Sequence, residues 1–197
     1  MKDMSRSGLA LLLAAAIVAP SAHAESERTV NEGGIRDQWL IADGVTLGAP
    51  GYPAAFAARG DNVCTAISYR ISPDGTTSDF ALVRAWASSG SDTQEQGFWK
   101  AFAEASALAL AQWKFKPRPE VKDPVTTHTV ATMTFMGKHA EDVAVLRSRC
   151  KIDDLATTLR EIKRNPARNE LNHVQMDAAQ RAQRANEIRA NQRARGN

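Results

Sequence analysis

Residues 63–87 read VCTAISYRISPDGTTSDFALVRAWA, and this stretch decides the fold. Val63, Thr65, Ile67, Tyr69 and Ile71 alternate with Cys64, Ala66, Ser68 and Arg70. A period of two sends the first set to one face and the second to the other, the pattern of a half-buried strand. Pro73-Asp74-Gly75 comes next. Proline fixes φ and glycine admits φ > 0, so the chain reverses there. Residues 76–87 then read as the returning strand of a hairpin.

Beyond the hairpin, residues 88–92 form a loop, and Asp92 or Thr93 caps a helix running to Trp113. Phe98, Phe102, Ala105, Ala109 and Trp113 lie on its apolar face. In Trp113-Lys114-Phe115-Lys116-Pro117 two aromatics stand at i and i+2. They share a face only if the backbone has become extended, so the helix ends near Trp113 and both rings enter the core. Pro117 blocks a return to helix. Residues 125–136, rich in Thr, Val and Met, read as a third strand. Upstream of the hairpin, Tyr52-Pro53 opens a short helix over 54–58, closed by Gly60. The order helix, strand, strand, helix, strand predicts an α+β domain over residues 51–138. It is a three-stranded antiparallel sheet with two helices on one face. Spacing does not fix the neighbour of the third strand.

These residues, in this order, resemble the C-terminal domain of TonB-type proteins of Gram-negative bacteria. The matching features are Tyr52-Pro53, the Ala-rich helix to Gly60, and the strand ending in Ser72-Pro73-Asp74-Gly75. They continue with Asp79, Ser88-Ser89-Gly90, the run Ala109 to Pro117, Pro124-Val125 and a strand ending near Phe135. The fold determinants are Tyr52, Pro53, Gly75, Trp113, Phe115, Pro117 and Phe135. The resemblance implies a domain that binds envelope proteins, partly by strand addition at a sheet edge, with an outer-membrane transporter among its partners. Energy transducers of that family carry a membrane helix and a Pro-rich spacer. Here neither is present, so a direct coupling to an inner-membrane motor is not expected.

At the N-terminus, Lys2 and Arg6 precede the apolar run Gly8 to Pro20, and Ser21-Ala22-His23-Ala24 precedes Glu25. This is the layout of a cleaved signal peptide over residues 1–24. The apolar run covers about 20 Å as a helix, short of a hydrocarbon core of about 30 Å. The expected location is the periplasm. Residues 25–50 are polar and glycine-spaced and read as a flexible arm. In the periplasm Cys64 and Cys150 meet oxidising conditions. Cys64 lies on the strand face opposite Tyr69, and Cys150 precedes a stripe of Ile152, Leu155, Leu159 and Ile162. A Cys64–Cys150 bridge would pin that stripe across the open side of the sheet; the alternative is two separate buried thiols.

The chain has 197 residues, 43% of them hydrophobic and 24% charged, which supports one real core. Its net charge of +3 is unevenly placed. Residues 25–140 hold 11 basic and 13 acidic side chains, whereas 141–197 hold 12 and 8. A nucleic-acid-binding body would need a basic face, so nucleic acid is not an expected partner. Residues 139–197 read as a charged helical extension whose basic end implies contact with an anionic surface. That supports a second reading, a structural or stress-related envelope component held by its tail. Enzyme motifs are missing: the sequence has no Gly-x-Ser-x-Gly, Walker loop or His-Glu-x-x-His. His128 reads as an exposed strand residue, and Asp153-Asp154 as solvated charges near a helix start. Arg59-Gly60-Asp61 reads as a helix end and turn. No catalytic residue, cofactor or metal is expected.

Overall fold

The structure is a computed structural model that describes residues 27–90 and 97–164. The signal peptide expected over 1–24, the helix cap expected at Asp92 or Thr93, and the Arg-rich segment 168–197 lie outside these residues. The described chain runs β1 (Glu27–Thr29), β2 (Trp39–Ile41), β3 (Val63–Ile71), β4 (Thr77–Ala87), α1 (Phe98–Leu110), β5 (Phe115–Pro117), β6 (Thr126–Phe135), α2 (Val143–Arg149) and α3 (Leu155–Arg164). Short 3-10 turns occupy Gly34–Asp37 and Ala54–Phe56.

The hairpin forms, but β3 is buried on both faces rather than half-buried, because Val63, Ile67, Tyr69 and Ile71 enter one apolar cluster and Cys64 and Ala66 enter another. β3 pairs antiparallel with β4 on one side and with β6 on the other, so β6 is the neighbour that spacing left open. At the turn, Asp74 accepts hydrogen bonds from the Thr76 amide (3.0 Å) and hydroxyl (2.6 Å). The hydroxyl contact leads in holding the Asp74 carboxyl below its usual range. Gly75 adopts φ +79°. Its carbonyl accepts from the Phe115 amide at 2.9 Å, and a Cβ there would overlap the Phe115 carbonyl oxygen. Gly75→Ala therefore combines a left-handed φ with a backbone clash. It should destabilise the protein by about 2–3 kcal/mol in chemical denaturation.

The sheet has four strands in the order β1-β6-β3-β4, not three. Residues 27–50, expected as a loose arm, supply the fourth: β1 runs parallel to β6, Glu27 to Thr29 beside Thr126 to His128. They also supply β2, which pairs antiparallel with β5 in a separate two-stranded sheet. Trp39 explains the fixing of this segment. Its ring is buried and its indole Nε1–H donates to Thr127 Oγ1 at 3.1 Å.

The helices differ from expectation as well. Residues 54–58 make only a 3-10 turn, Ala54–Phe56, with Pro53 at its N-cap. Among the described residues the one α-helix on the Tyr69 face is α1, which starts at Phe98 after Gly97 (φ +84°) and carries Phe98, Phe102 and Leu110 into the core. There Phe102 meets Tyr52 (5.1 Å between centroids) and Phe135 (4.8 Å) in edge-to-face contacts. Phe56 meets Phe98 in the same way at 5.1 Å. Edge-to-face pairing adds to area burial because the positive ring edge meets a negative face.

Trp113 and Phe115 do not both enter the core. Phe115 is buried, but Trp113 is half-buried and its Nε1–H donates to the Gly48 carbonyl at 3.2 Å. The amide of Trp113 bonds the Leu110 carbonyl, so the last helical turn tightens before the chain extends, and the indole ends at the rim. It still packs edge-on against Tyr69 and Phe115.

The second face of the sheet is covered by α2 and α3. Cys64, Ala66 and Val130 from the sheet, with Leu146, Cys150, Ile152 and Leu155 from the covering layer, form a second apolar cluster. Cys64 and Cys150 are bonded to each other, with Cα atoms 6.0 Å apart, and both are fully buried. Residues 139–164 belong to the expected extension, and its stripe of Ile152, Leu155 and Leu159 is pinned across the sheet as the expected Cys64–Cys150 bridge implied. Asp142 caps α2 by accepting from the amides of Ala144 and Val145. Asn31 ties the layer to the first strand: its Oδ1 accepts from the Leu155 amide (2.9 Å), and its Nδ2 donates to the Asp153 carbonyl (2.7 Å). On the β4 side, the Arg84 guanidinium donates to the Lys151 carbonyl, and the Arg149 guanidinium lies 4.1 Å over the Trp86 ring. The architecture is α+β in three layers, with helices on both faces of the sheet.

Candidate binding groove

A sheet of this order has two edges, and they are built differently. β4 is long, but its register against β3 shifts twice, between Ala66 and Ile67 and between Ser68 and Arg70. Asp79 on it takes φ 54° and pairs with Arg70 at 2.7 Å, and Arg84 is exposed. Bulges and charges of this kind blunt an edge against pairing. The β6 edge is regular. Its pairing with β3 continues without a shift from Thr127 to Phe135.

β1 covers only part of that edge, leaving after Thr29. The His128 carbonyl accepts from Val30 N–H at 2.9 Å and so points away from β3. The Thr132 amide also points away, donating to Glu32 Oε1 at 3.0 Å. Alternation along an antiparallel ladder turns the main-chain groups of Val130 and Thr134 the same way. Among the described residues no strand pairs with β6 beyond His128 on this side.

A groove of about 300 Å³ lies along this half-edge. Its walls include Ile35, Leu47, Pro50 and Trp113 on one side, and Glu32 with Arg147 on the other. Its floor carries residues 129–134 of β6 and the side chain of Tyr69. Tyr69 is only 3% exposed, and its hydroxyl, which no other described residue engages, is not among the fully buried atoms left without a partner, so it is reached from the groove. Burial pushes its phenol well up, with the Glu32 charge adding to the effect, so the group stays neutral and able to donate.

Glu32 holds the centre of the groove's polar side. Its Oε1 accepts from Thr132 N–H (3.0 Å) and from Arg147 Nη2 (2.6 Å), and its Oε2 accepts from the Thr132 hydroxyl (2.7 Å). A side-chain carboxylate thus stands where the carbonyl of an adjoining strand would stand.

The residues singled out in the sequence fall partly here. Trp113 lines the groove, and Phe115 lies behind it in the core. Tyr52, Pro53, Gly75, Pro117 and Phe135 sit in the fold away from the groove lining. Tyr52 donates its hydroxyl to the Asp61 carbonyl at 3.0 Å, and Pro117 stands opposite Trp39 in register. His128 is half-buried rather than exposed, with Nε2 3.4 Å from a Glu27 carboxylate oxygen. Arg59 and Asp61 pair with each other at 2.9 Å across Gly60. Asp153 pairs with Lys151, whereas Asp154 accepts from the Thr157 amide and hydroxyl in the first turn of α3. Among the described residues no group of three or more His, Cys, Asp or Glu could hold a metal ion. No helix among them is long and apolar enough to cross a membrane.

Sequence reasoning missed Glu32, Arg147, Thr132 and the role of Tyr69. Glu32 and Arg147 are 115 positions apart and carry no local signature. The one legible hint was a tyrosine on the apolar face of β3, whose hydroxyl needs somewhere to go.

A solution NMR structure of the Pseudomonas aeruginosa TonB CTD is weakly similar to this chain. The identity is 18%, the match covers 52% of this chain and 90% of that chain, and the TM-score is 0.38. No family model matches the sequence, and no curated protein matches it.

Proposed function

We propose that this chain is a protein-binding module that takes an extended segment of a partner by strand addition along the unpaired half of β6. The observation that carries this reading is the groove itself: a regular half-edge beside a cleft with one apolar wall and one polar wall. β1 already uses the first part of the same edge in parallel pairing, which is what an added strand would continue. Main-chain hydrogen bonds supply affinity in this mode, and alternate side chains read the walls. The buried Cys64–Cys150 bond suits an oxidising compartment. Together with the signal-peptide layout of residues 1–24, it supports a periplasmic module. Envelope proteins, an outer-membrane transporter among them, are its proposed partners. The alternative of a component held by its basic tail rests on residues 168–197 and draws no support from the described ones.

A displayed library of random decapeptides, selected on the folded protein, tests this directly. Thr134→Pro removes an outward amide without removing a bond to β3, a substitution that edge strands tolerate. Selected peptides should bind this variant about tenfold more weakly, the scale of one or two lost main-chain bonds. Equal binding to both proteins would place the peptides elsewhere and sink the reading.

A further inference from the structure

The Glu32 carboxylate occupies a position that an added strand needs, because its Oε1 holds the Thr132 amide. It is also the acceptor for a set of three donors: the Thr132 amide, the Thr132 hydroxyl and the Arg147 guanidinium. Those donors come from β6 and α2, whereas Glu32 comes from the segment after β1. The three residues meet without any of them being a neighbour in sequence. The Glu32 side chain remains 31% exposed and that of Arg147 47%, so water and an incoming group can reach the pair. An exposed ion pair is only marginally stable and exchanges readily. Burying Arg147 beneath an added strand with no carboxylate beside it would strand a charge.

We propose that Glu32 is an internal plug of this groove, and that the segment displacing it carries its own Asp or Glu onto Thr132 and Arg147. This rests on the strand-addition reading above and specifies its ligand. The two walls then select different things. The side chain that reaches Arg147 is acidic. Its neighbours in the added strand point to the opposite face, towards Tyr69, Trp113 and Leu47, because side chains alternate. There an apolar side chain carrying a hydrogen-bond acceptor fits, since the Tyr69 hydroxyl is a neutral donor with no partner among the described residues. The recognised pattern is an acidic residue beside a mainly apolar one in an extended segment. The plug gives regulation too. While Glu32 is seated, only the fraction of molecules with the plug withdrawn can bind, and apparent affinity falls by that fraction.

The test uses the same random decapeptide library on the full folded chain, on Glu32→Ala and on Arg147→Ala, with Glu32→Gln as a shape-preserving fourth protein. Thermal melting of each confirms that it is folded. Peptides from the unaltered protein should be enriched in Asp or Glu at one position. They should bind Glu32→Ala about tenfold more tightly, and Glu32→Gln by an intermediate amount, since an amide oxygen can still accept from Thr132 but carries no charge for Arg147. Selection on Arg147→Ala should lose the acidic preference. Peptides that depend on the Thr134 amide but show no acidic enrichment, and bind Glu32→Ala no better, would overturn the plug and leave strand addition standing. Selection of nothing on any of the four proteins would overturn both.

Discussion

Replacing Cys64 and Cys150 together by alanine should lower stability by about 4–5 kcal/mol. The bond spans a sequence separation of 86, and closing so long a loop removes much of the unfolded chain's freedom. The cluster it serves is small: beyond the two cysteines it consists of Ala66, Val130, Leu146, Ile152 and Leu155, with Val83, Trp86 and Leu159 at its margin. Such a layer buries little apolar area for the helices it must order, so α2 and α3 should loosen first. Urea denaturation of the oxidised protein and of the double variant measures the loss. Far-ultraviolet circular dichroism at low urea should show helix disappearing before the sheet transition. A loss under about 1 kcal/mol, with one common transition, would mean that packing alone holds the layer.

The second large effect belongs to the other face. Phe102 is fully buried and touches the rings of Tyr52, Phe56, Phe98 and Phe135. Phe102→Ala removes the ring on which four others rest and leaves a cavity that helix, turn and strand cannot all close. A cost of about 3–5 kcal/mol is expected from chemical denaturation, as for other buried aromatic truncations. Trp113→Ala should cost clearly less, because that indole sits at the rim.

The features legible in the sequence are those that short-range patterning encodes. The alternation Val63 to Ile71 sorted the sheet's two faces correctly, down to Cys64 opposite Tyr69 and Cys150 joining it from the tail. The turn at Asp74-Gly75 came from local dihedral preferences, and β6 from its Thr and Val content. The failures lie where distant segments decide the outcome. Residues 27–29 have no apolar alternation; they become a strand because β6 offers an edge, and because Asn31 and Trp39 anchor the chain just beyond them. The turn at Ala54–Phe56 is too short for an α-helix despite its alanines, since Phe56 must reach the α1 rings and Gly60 must reverse the chain. Trp113 stops at the rim because helix α1 has already ended at Leu110. The groove was invisible for the same reason: Glu32, Tyr69, Trp113, Thr132 and Arg147 come from five separate places in the chain.

The most direct measurement of strand addition is residue-resolved amide hydrogen exchange, with and without a selected decapeptide. Protection should rise most at Val130 and Thr134, whose main-chain groups turn outward along β6, and less at Thr132, whose amide Glu32 already holds. Met133 and Ala131, already bonded to β3, should change little, and the β4 amides should not respond. Protection gained along β4, or confined to α2 and α3 with the β6 amides unchanged, would contradict the account.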